Sequence, residues 1–480
     1  MNKKGILCIA LAALMLLAVL IVINITSEQE APSISDCYDG SAVTIVVNHA
    51  LKLPLQDILD TYIQEFNKKY PNITIQHIAK SSNLNKLSDT IVEEMKMGVR
   101  PNIVFCKPEH ILLYNQAGTV VALNTLINNP QRISCADGTT EVFGLTQEQL
   151  ADYPSAFYAE GDCYGTGSIY TLPLSKGADV LYYNKTFFDA HNLTVPTTWE
   201  EMWAVCEQIK QIDPKSIPLG YDNEEAWLIS IAEQLGVSYL DASRDGDARY
   251  TFNDPKIKNY LKQLRSYYEK GYFTTYQLFT AYTYNLFKGE PAYGYPIDYC
   301  CYMSISSMDG AKYYCADFEV GISALPQIDP TQAKVVSNGA ATSNAANMCI
   351  IQSDNPQEVY ASWLFIEFLS TNTQFQTDFA IATGYLPVLN SAQNSTGYCA
   401  YLESADDDEN ILALANKAAL SQISGHFIPD VFVGSSVARE QAKVLLVRCI
   451  SEVPVSNQTV DQFIDKVFTD AINTCISQAN

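Results

Sequence analysis

The side chains of this chain that could react or bind are mostly binding groups. No Gly-x-Ser-x-Gly elbow, no His-Glu-x-x-His pair and no phosphate-cradling glycine loop occurs, and the five histidines are scattered. Glu224 and Glu225 are adjacent, so they point apart and make a poor acid/base pair across a glycosidic bond. Polar residues do cluster just after apolar, strand-like runs. Asn48, His49 and Lys52 follow the first run, Ser81, Ser82, Asn83 and Asn85 the second, and Lys107 and Glu109 the third. Asp222, Asn223, Glu224 and Trp227 follow a run ending near Tyr221. In open parallel sheets, ligands sit beyond the carboxyl ends of strands, where loops converge and helix N-termini point. These positions are therefore candidates for gripping a small molecule through amide, carboxylate and ammonium groups. Trp227 offers an aromatic face, yet Leu228, Ile231, Ala232 and Leu235 follow it, so it serves equally well as packing. No cofactor or metal motif is present: no CxxC occurs, and the acidic run at 406–409 lacks the spacing of a calcium loop.

The elements that must position these residues alternate. Val43 to Val47 reads as a strand, and Leu55, Ile58, Leu59, Tyr62, Ile63 and Phe66 form a helical stripe. Residues 72–78 read as a strand, 87–97 as a helix and 103–105 as a third strand, which implies a parallel sheet with helices on its faces. A second α/β unit is expected over about 170–281, with Ile257, Tyr260, Leu261, Leu264 and Tyr268 facing inward from a helix. Within it, Thr198 precedes Glu201 by three residues, the spacing of a capping box. Trp199, Met202, Trp203, Cys206 and Ile209 then recur at helical spacing and are expected in the core. Residues 318–325 read as a strand returning through a hinge, and the chain after Pro356 as mostly helical.

Four motifs in one stretch carry a family resemblance: Leu172-Pro173, Tyr182-Tyr183-Asn184, Phe187-Phe188, and the Pro196 to Glu201 segment ending in Thr-Trp-Glu-Glu. Gly98 to Phe105, Gly118 to Leu123, Phe287 to Tyr293, Trp363 to Ser370 and Gly384 to Val388 agree with the same pattern. In this order they resemble the extracellular solute-binding proteins of bacterial ABC importers, the maltose-binding-protein-like family 1. The resemblance implies a periplasmic-binding-protein-like α/β fold, with two lobes joined by a hinge and a cleft between them. It implies no enzymatic activity, no cofactor, a small solute, most simply a sugar or oligosaccharide, and permease subunits as partners. It maps Glu224, Glu225 and Trp227 onto a ligand-touching stretch. Where the family often places a stacking tryptophan, this chain has Tyr295, Asp298 and Tyr299. At 338–341 it has Asn-Gly-Ala-Ala where the family commonly has a double glycine, and both departures weaken any transfer of a particular sugar specificity. The expected ligand set is thus Asn83, Lys107, Glu224, Trp227, Tyr295, Asp298 and Tyr299. The rivals are a polyamine or other cation as cargo, and a surface glycoside hydrolase or sensor domain.

Length and charge bound the rest. A chain of 480 residues exceeds one ordinary domain. The expected organisation is an anchor or signal at 1–25, a linker at 26–41, a first lobe from 42–155 plus about 300–350, and a second from 156–299 plus about 351–480. A net charge of -23, with acidic residues scattered along the chain, argues against nucleic acid or anionic lipid as partner. Lys3 and Lys4 precede an uncharged run at 6–23, which reads as an uncleaved anchor with the remainder outside the cytoplasm; a cleaved signal is the alternative. The globular part is expected to be a monomer. Of 13 cysteines, Cys300, Cys301 and Cys315 form the only local cluster that could hold a bridge.

Overall fold

The computed structural model describes residues 37–162, 164–289, 300–336, 345–407 and 410–478. The strands of its two main sheets are, in chain order, β1 (Val43–His49), β2 (Ile73–Ala79), β3 (Ile103–Cys106), β4 (Leu172–Pro173), β5 (Asp179–Asn184), β6 (Leu219–Tyr221), β7 (Phe273–Thr275), β8 (Met303–Ser307), β9 (Val320–Ser323) and β10 (Asn347–Ile350). One sheet runs β2-β1-β3-β10-β4, the other β9-β5-β8-β6-β7. Each has a parallel part, β2-β1-β3 and β8-β6-β7, extended by antiparallel strands. These are two α/β lobes, as the alternation predicts.

The helices pack as their stripes dictate. α1 (Leu53–Lys69) buries Leu59, Tyr62, Ile63 and Phe66, and α2 (Leu84–Lys96) buries Leu87, Ile91 and Met95. α3 (Trp199–Ile212) opens with the expected capping box, Thr198 accepting from the Glu201 amide and Glu201 reaching back, and buries Trp199, Met202, Trp203, Cys206 and Ile209. α4 (Glu224–Gln234) starts where β6 ends. α5 (Pro356–Thr371) lies on the first sheet, with Phe365 edge-on to Phe66 at 5.1 Å. α6 (Ser435–Ser451) lies against α4 and the Pro255–Glu269 helix of the second lobe.

The expected lobe segments need correction. β8 and β9 both hydrogen-bond within the second sheet, so most of 300–350 does not join the first lobe; only β10 does. α5 covers the first sheet, not the second. Nor is β9 a hinge strand, because its Val320–Ser323 register against Asn184–Leu181 makes it the edge of the second sheet. Period alone cannot say which sheet an apolar strand joins. The link from β4 to β5 does cross between sheets. There the Leu174 and Ser175 amides donate to the Ala346 carbonyl, and fully buried Lys176 holds Glu160 and Asn347.

Residues 1–36, which hold the predicted anchor, lie outside the described residues, as do Tyr295, Asp298, Tyr299 and the 338–341 departure. Among the described residues no helix is long and apolar enough to cross a membrane. Cys300, Cys301 and Cys315 are free thiols.

Candidate functional site

At the carboxyl end of the first sheet the polar residues lock onto one another. His49 Nδ1 accepts from the Leu51 amide at 3.1 Å, its Nε2 faces His77 Nδ1 at 2.9 Å, and His77 Nε2 meets Asp60 at 2.9 Å. Burial, with His77 adding to it, pushes His49 down to about 4, so His49 is neutral at ordinary pH. After β3 the chain turns at once into the His110–Ala117 helix, whose first amide donates to the Lys107 carbonyl. Lys107, Glu109 and His110 are buried in that turn. Burial alone would raise Glu109, but Arg439, Lys107 and His110 outweigh it and hold the carboxyl at about 2. The result is a rigid charged shelf.

The corresponding end of the second sheet is open. Gly220 in β6 lets Thr283 approach so closely that a Cβ there would lie 2.4 Å from the Thr283 Cβ. Thr283 in turn donates its amide to Asp222 Oδ1 at 2.7 Å, fixing the carboxylate that follows the strand. Asn223 caps α4 and donates to Asp179 Oδ2 at 3.1 Å, while Glu224 accepts from the Gln277 amide at 2.7 Å. Asp222, Asn223, Glu224 and Gln277, together with Glu225, Tyr276, Tyr282, Ser306, Ser307 and Lys443, line a hollow of about 250 Å³. Tyr276 and Tyr282 have ring centroids 4.9 Å apart, and Tyr282 is 37% exposed. Between them Thr280 has φ 59°, a left-handed conformation that a β-branched residue adopts only under constraint, and such strain gathers at ligand clamps.

Electrostatically the hollow is acidic. Burial pushes Asp222 up to about 7, against hydrogen bonds from Thr283, Ser306 and Tyr314 that favour its charged form. Behind the Asn223 wall, burial also raises Asp179 to about 7, and its Oδ1 has no hydrogen-bond partner among the described residues. Lys443, the one cation among the described residues of the wall, is held by Glu440 at 2.8 Å. Such a surface can accept hydrogen bonds from hydroxyls or amines and stack an apolar ring face on tyrosine. A larger hollow of about 500 Å³, by Thr186, Phe318 and Ile411, lies at the opposite end of the parallel strands. Among the described residues no group of three or more His, Cys, Asp or Glu could hold a metal ion.

The predicted ligand residues separate on this geometry. Glu224 is in the wall. Lys107 is on the buried shelf of the first lobe. Asn83 is half-buried and occupied as the N-cap of α2, accepting from the Lys86 amide at 2.9 Å. Trp227 is a correction: it is fully buried, stacked on Tyr221 at 4.5 Å and Trp199 at 5.4 Å, and offers no face to a solute. Glu224 is engaged at the helix start by the Gln277 amide, whereas the longer Trp227 side chain is taken up by the Tyr221 and Trp199 rings of the core. Tyr276, Tyr282, Asp179, Ser306, Ser307, Arg439 and Lys443 escaped the sequence reading. For Tyr276 the signal was available, since it follows the Phe-Thr-Thr run of β7 as Asp222 follows β6. Arg439 and Lys443 sit on a helix 214 or more residues from Glu225, and nothing local marks them.

Comparison with known proteins agrees with this architecture. An uncharacterised extracellular-binding protein of an ABC transporter from Pyrococcus horikoshii is 23% identical over 227 residues, 45% of this chain and 48% of that protein. The chain thus spans about half the length of that relative. The sn-glycerol-3-phosphate-binding periplasmic protein of Shigella flexneri is 22% identical over 74% of this chain and 76% of its own. The crystal structure of a cyclic alpha-maltosyl-1,6-maltose binding protein from Arthrobacter globiformis superposes with a TM-score of 0.66 at 17% identity, over 91% of this chain and all of that one. The family profile of bacterial extracellular solute-binding proteins matches residues 61–404, well over half of the sequence, and the chain belongs to that family.

Proposed function

We propose that the chain captures a small carbohydrate, a sugar or oligosaccharide without phosphate, by closing its two lobes, and passes it to the permease subunits of an ABC importer. Membership of an extracellular family goes with an extracytoplasmic location. The observation that carries the carbohydrate reading is the second-lobe hollow, where Asp222, Glu224, Glu225, Ser306 and Ser307 stand beside the Tyr276 and Tyr282 rings. Carboxylates accept from sugar hydroxyls, and the C–H face of a pyranose packs on an aromatic ring. Among the described walls of the hollow the carboxylates outnumber the single lysine, itself paired, so a phosphate ester such as the Shigella relative's solute is poorly matched. The same acid excess supports a second reading, a polyamine or other cation. Thermal-shift and calorimetric titration with maltotetraose, glycerol 3-phosphate and spermidine separates these. Binding of maltotetraose or another neutral oligosaccharide is expected; binding of spermidine alone would install the cation, and of glycerol 3-phosphate alone would remove both. Recovery of the oligosaccharide uncleaved distinguishes a binder from a surface hydrolase.

The further parts of the proposal are an uncleaved N-terminal anchor at 1–25 and a monomeric globular part. Both are tested on cell-associated protein: N-terminal sequencing should find the intact N-terminus, and light scattering the mass of one chain. A mature chain starting near Ser27, or lipidated at Cys37, would refute the anchor.

A further inference from the structure

One ionic contact joins the lobes beside the hollow. Arg439, near the start of α6 in the second lobe, directs Nε and Nη2 to Glu225 Oε1, both at 2.8 Å. Its Nη1 lies 3.6 Å from Oε1 of Glu109, on the first-lobe shelf after β3. All three side chains are largely buried, Arg439 and Glu109 each below a tenth exposed. One guanidinium therefore stands between two carboxylates that belong to opposite lobes, one of them a wall of the hollow. Its planar fork has donors enough for both, which a lysine lacks in fixed geometry.

The consequence concerns closure. Without a cation there, closing would bring Glu109 up to Glu225 away from water, and two facing carboxylates in such a place cannot both stay ionised. With the cation in place the closed form is attainable, yet the attraction gained is largely offset by the desolvation of the ions. The contact then permits closure without enforcing it, and differential binding of a solute can tip the balance. We propose that Arg439 is a positioning residue, a counter-ion clasp that makes the shut arrangement of the lobes electrostatically attainable. Only its purpose rests on the solute-capture reading; the clasp holds whatever the solute is.

The test is a cycle on the full chain: wild type, Arg439→Met, Glu109→Gln and the double variant, each with one bioorthogonal spin label per lobe. Inter-lobe distances are measured first without solute and then with maltotetraose. The short-distance population seen in the wild type in at least one of these arms should fall at least fivefold in Arg439→Met. It should recover to at least half in the double variant, because removing Glu109 removes the repulsion. Glu109→Gln alone should stay within twofold of the wild type. A residue that merely supports the second-lobe fold would not be rescued from the first lobe. Arg439→Met remaining closed, a double variant as open as the single, or a wild type without any short-distance population would each overturn the clasp. If Arg439→Met does not fold, Glu109→Arg replaces it: two facing guanidiniums must open the cleft, and unchanged distances would overturn the idea. Failure of maltotetraose to bind leaves the solute-free result standing and counts only against the carbohydrate reading.

Discussion

The two sheets end in similar residue types and build opposite things with them. Beyond the first sheet Asn48, His49, Lys107, Glu109 and His110 are all buried, in a tight turn and a histidine chain. Beyond the second, Glu224 is buried too, but Tyr276, Ser307 and Lys443 beside it are only half-buried, and the group surrounds open space. The difference lies in the loops. Helices follow β6 and β7 as promptly as they follow β3, but the chain past β7 runs on through 280–283, where Thr283 seats on Gly220 and donates to Asp222, and a hollow remains beside it. A polar residue at a strand end is thus a ligand group only where the neighbouring loop leaves it one.

The largest expected effect tests the core side of this contrast. Trp227→Ala removes a stacked, fully buried indole and should cost about 3 to 5 kcal/mol of stability, read by denaturant unfolding. Solute affinity of the folded fraction should stay unchanged; lost affinity at intact stability would restore Trp227 to the cleft.

Next comes the buried acid behind the hollow. The folded pKa of Asp179, about 7, lies above that of an unfolded aspartate, so the folded state favours its protonated form. Its contribution is fully present below about pH 4 and is lost as pH rises towards 7. Asp179→Asn keeps an acceptor for Asn223 and removes the charge. It should therefore stabilise the protein by on the order of 3 kcal/mol at pH 8 and by little at pH 4, in paired melts. An equal gain at both pH values would contradict the burial argument.

Tyr282 is the counterpart of Trp227 on the open side. Its replacement by Ala should weaken solute binding by about 1 to 3 kcal/mol with a much smaller change in melting temperature. If instead the melt drops and titration calorimetry shows full affinity, the ring is structural and the hollow loses its aromatic wall. The smallest effect concerns Asn83, whose amide oxygen is taken by the Lys86 amide. Asn83→Ala should cost about 1 kcal/mol of stability and leave affinity alone. An affinity loss at unchanged stability would move the first lobe's second loop into the site.

Much of this was legible beforehand, for local reasons. The Thr198 to Glu201 box, the buried stripe of α3 and the β1-α1-β2-α2-β3 alternation depend on spacing over a few residues, and the structure has them where the spacing put them. That Glu224 stands at the end of a strand could be read from sequence, because that placement needs no distant partner. Trp227 was ambiguous because an indole in the first turn of a helix meets either solute or core, and the rings that claim it, Tyr221 and Trp199, are placed by tertiary packing. The family motifs are likewise contiguous, which is why the family could be read from residues and the lobe membership of β8, β9 and α5 could not.

The sequence by itself determined that the chain makes two α/β units with polar strand ends, because periodicity, capping and turn chemistry act between near neighbours. Only the tertiary structure decided which strand ends are sealed and which stay open. It also decided that Asp179 lies behind Asn223 and that Arg439 stands between Glu109 and Glu225. Burial, and the charge balance that follows from it, are sums over groups brought together from hundreds of residues apart, and no local pattern carries that sum.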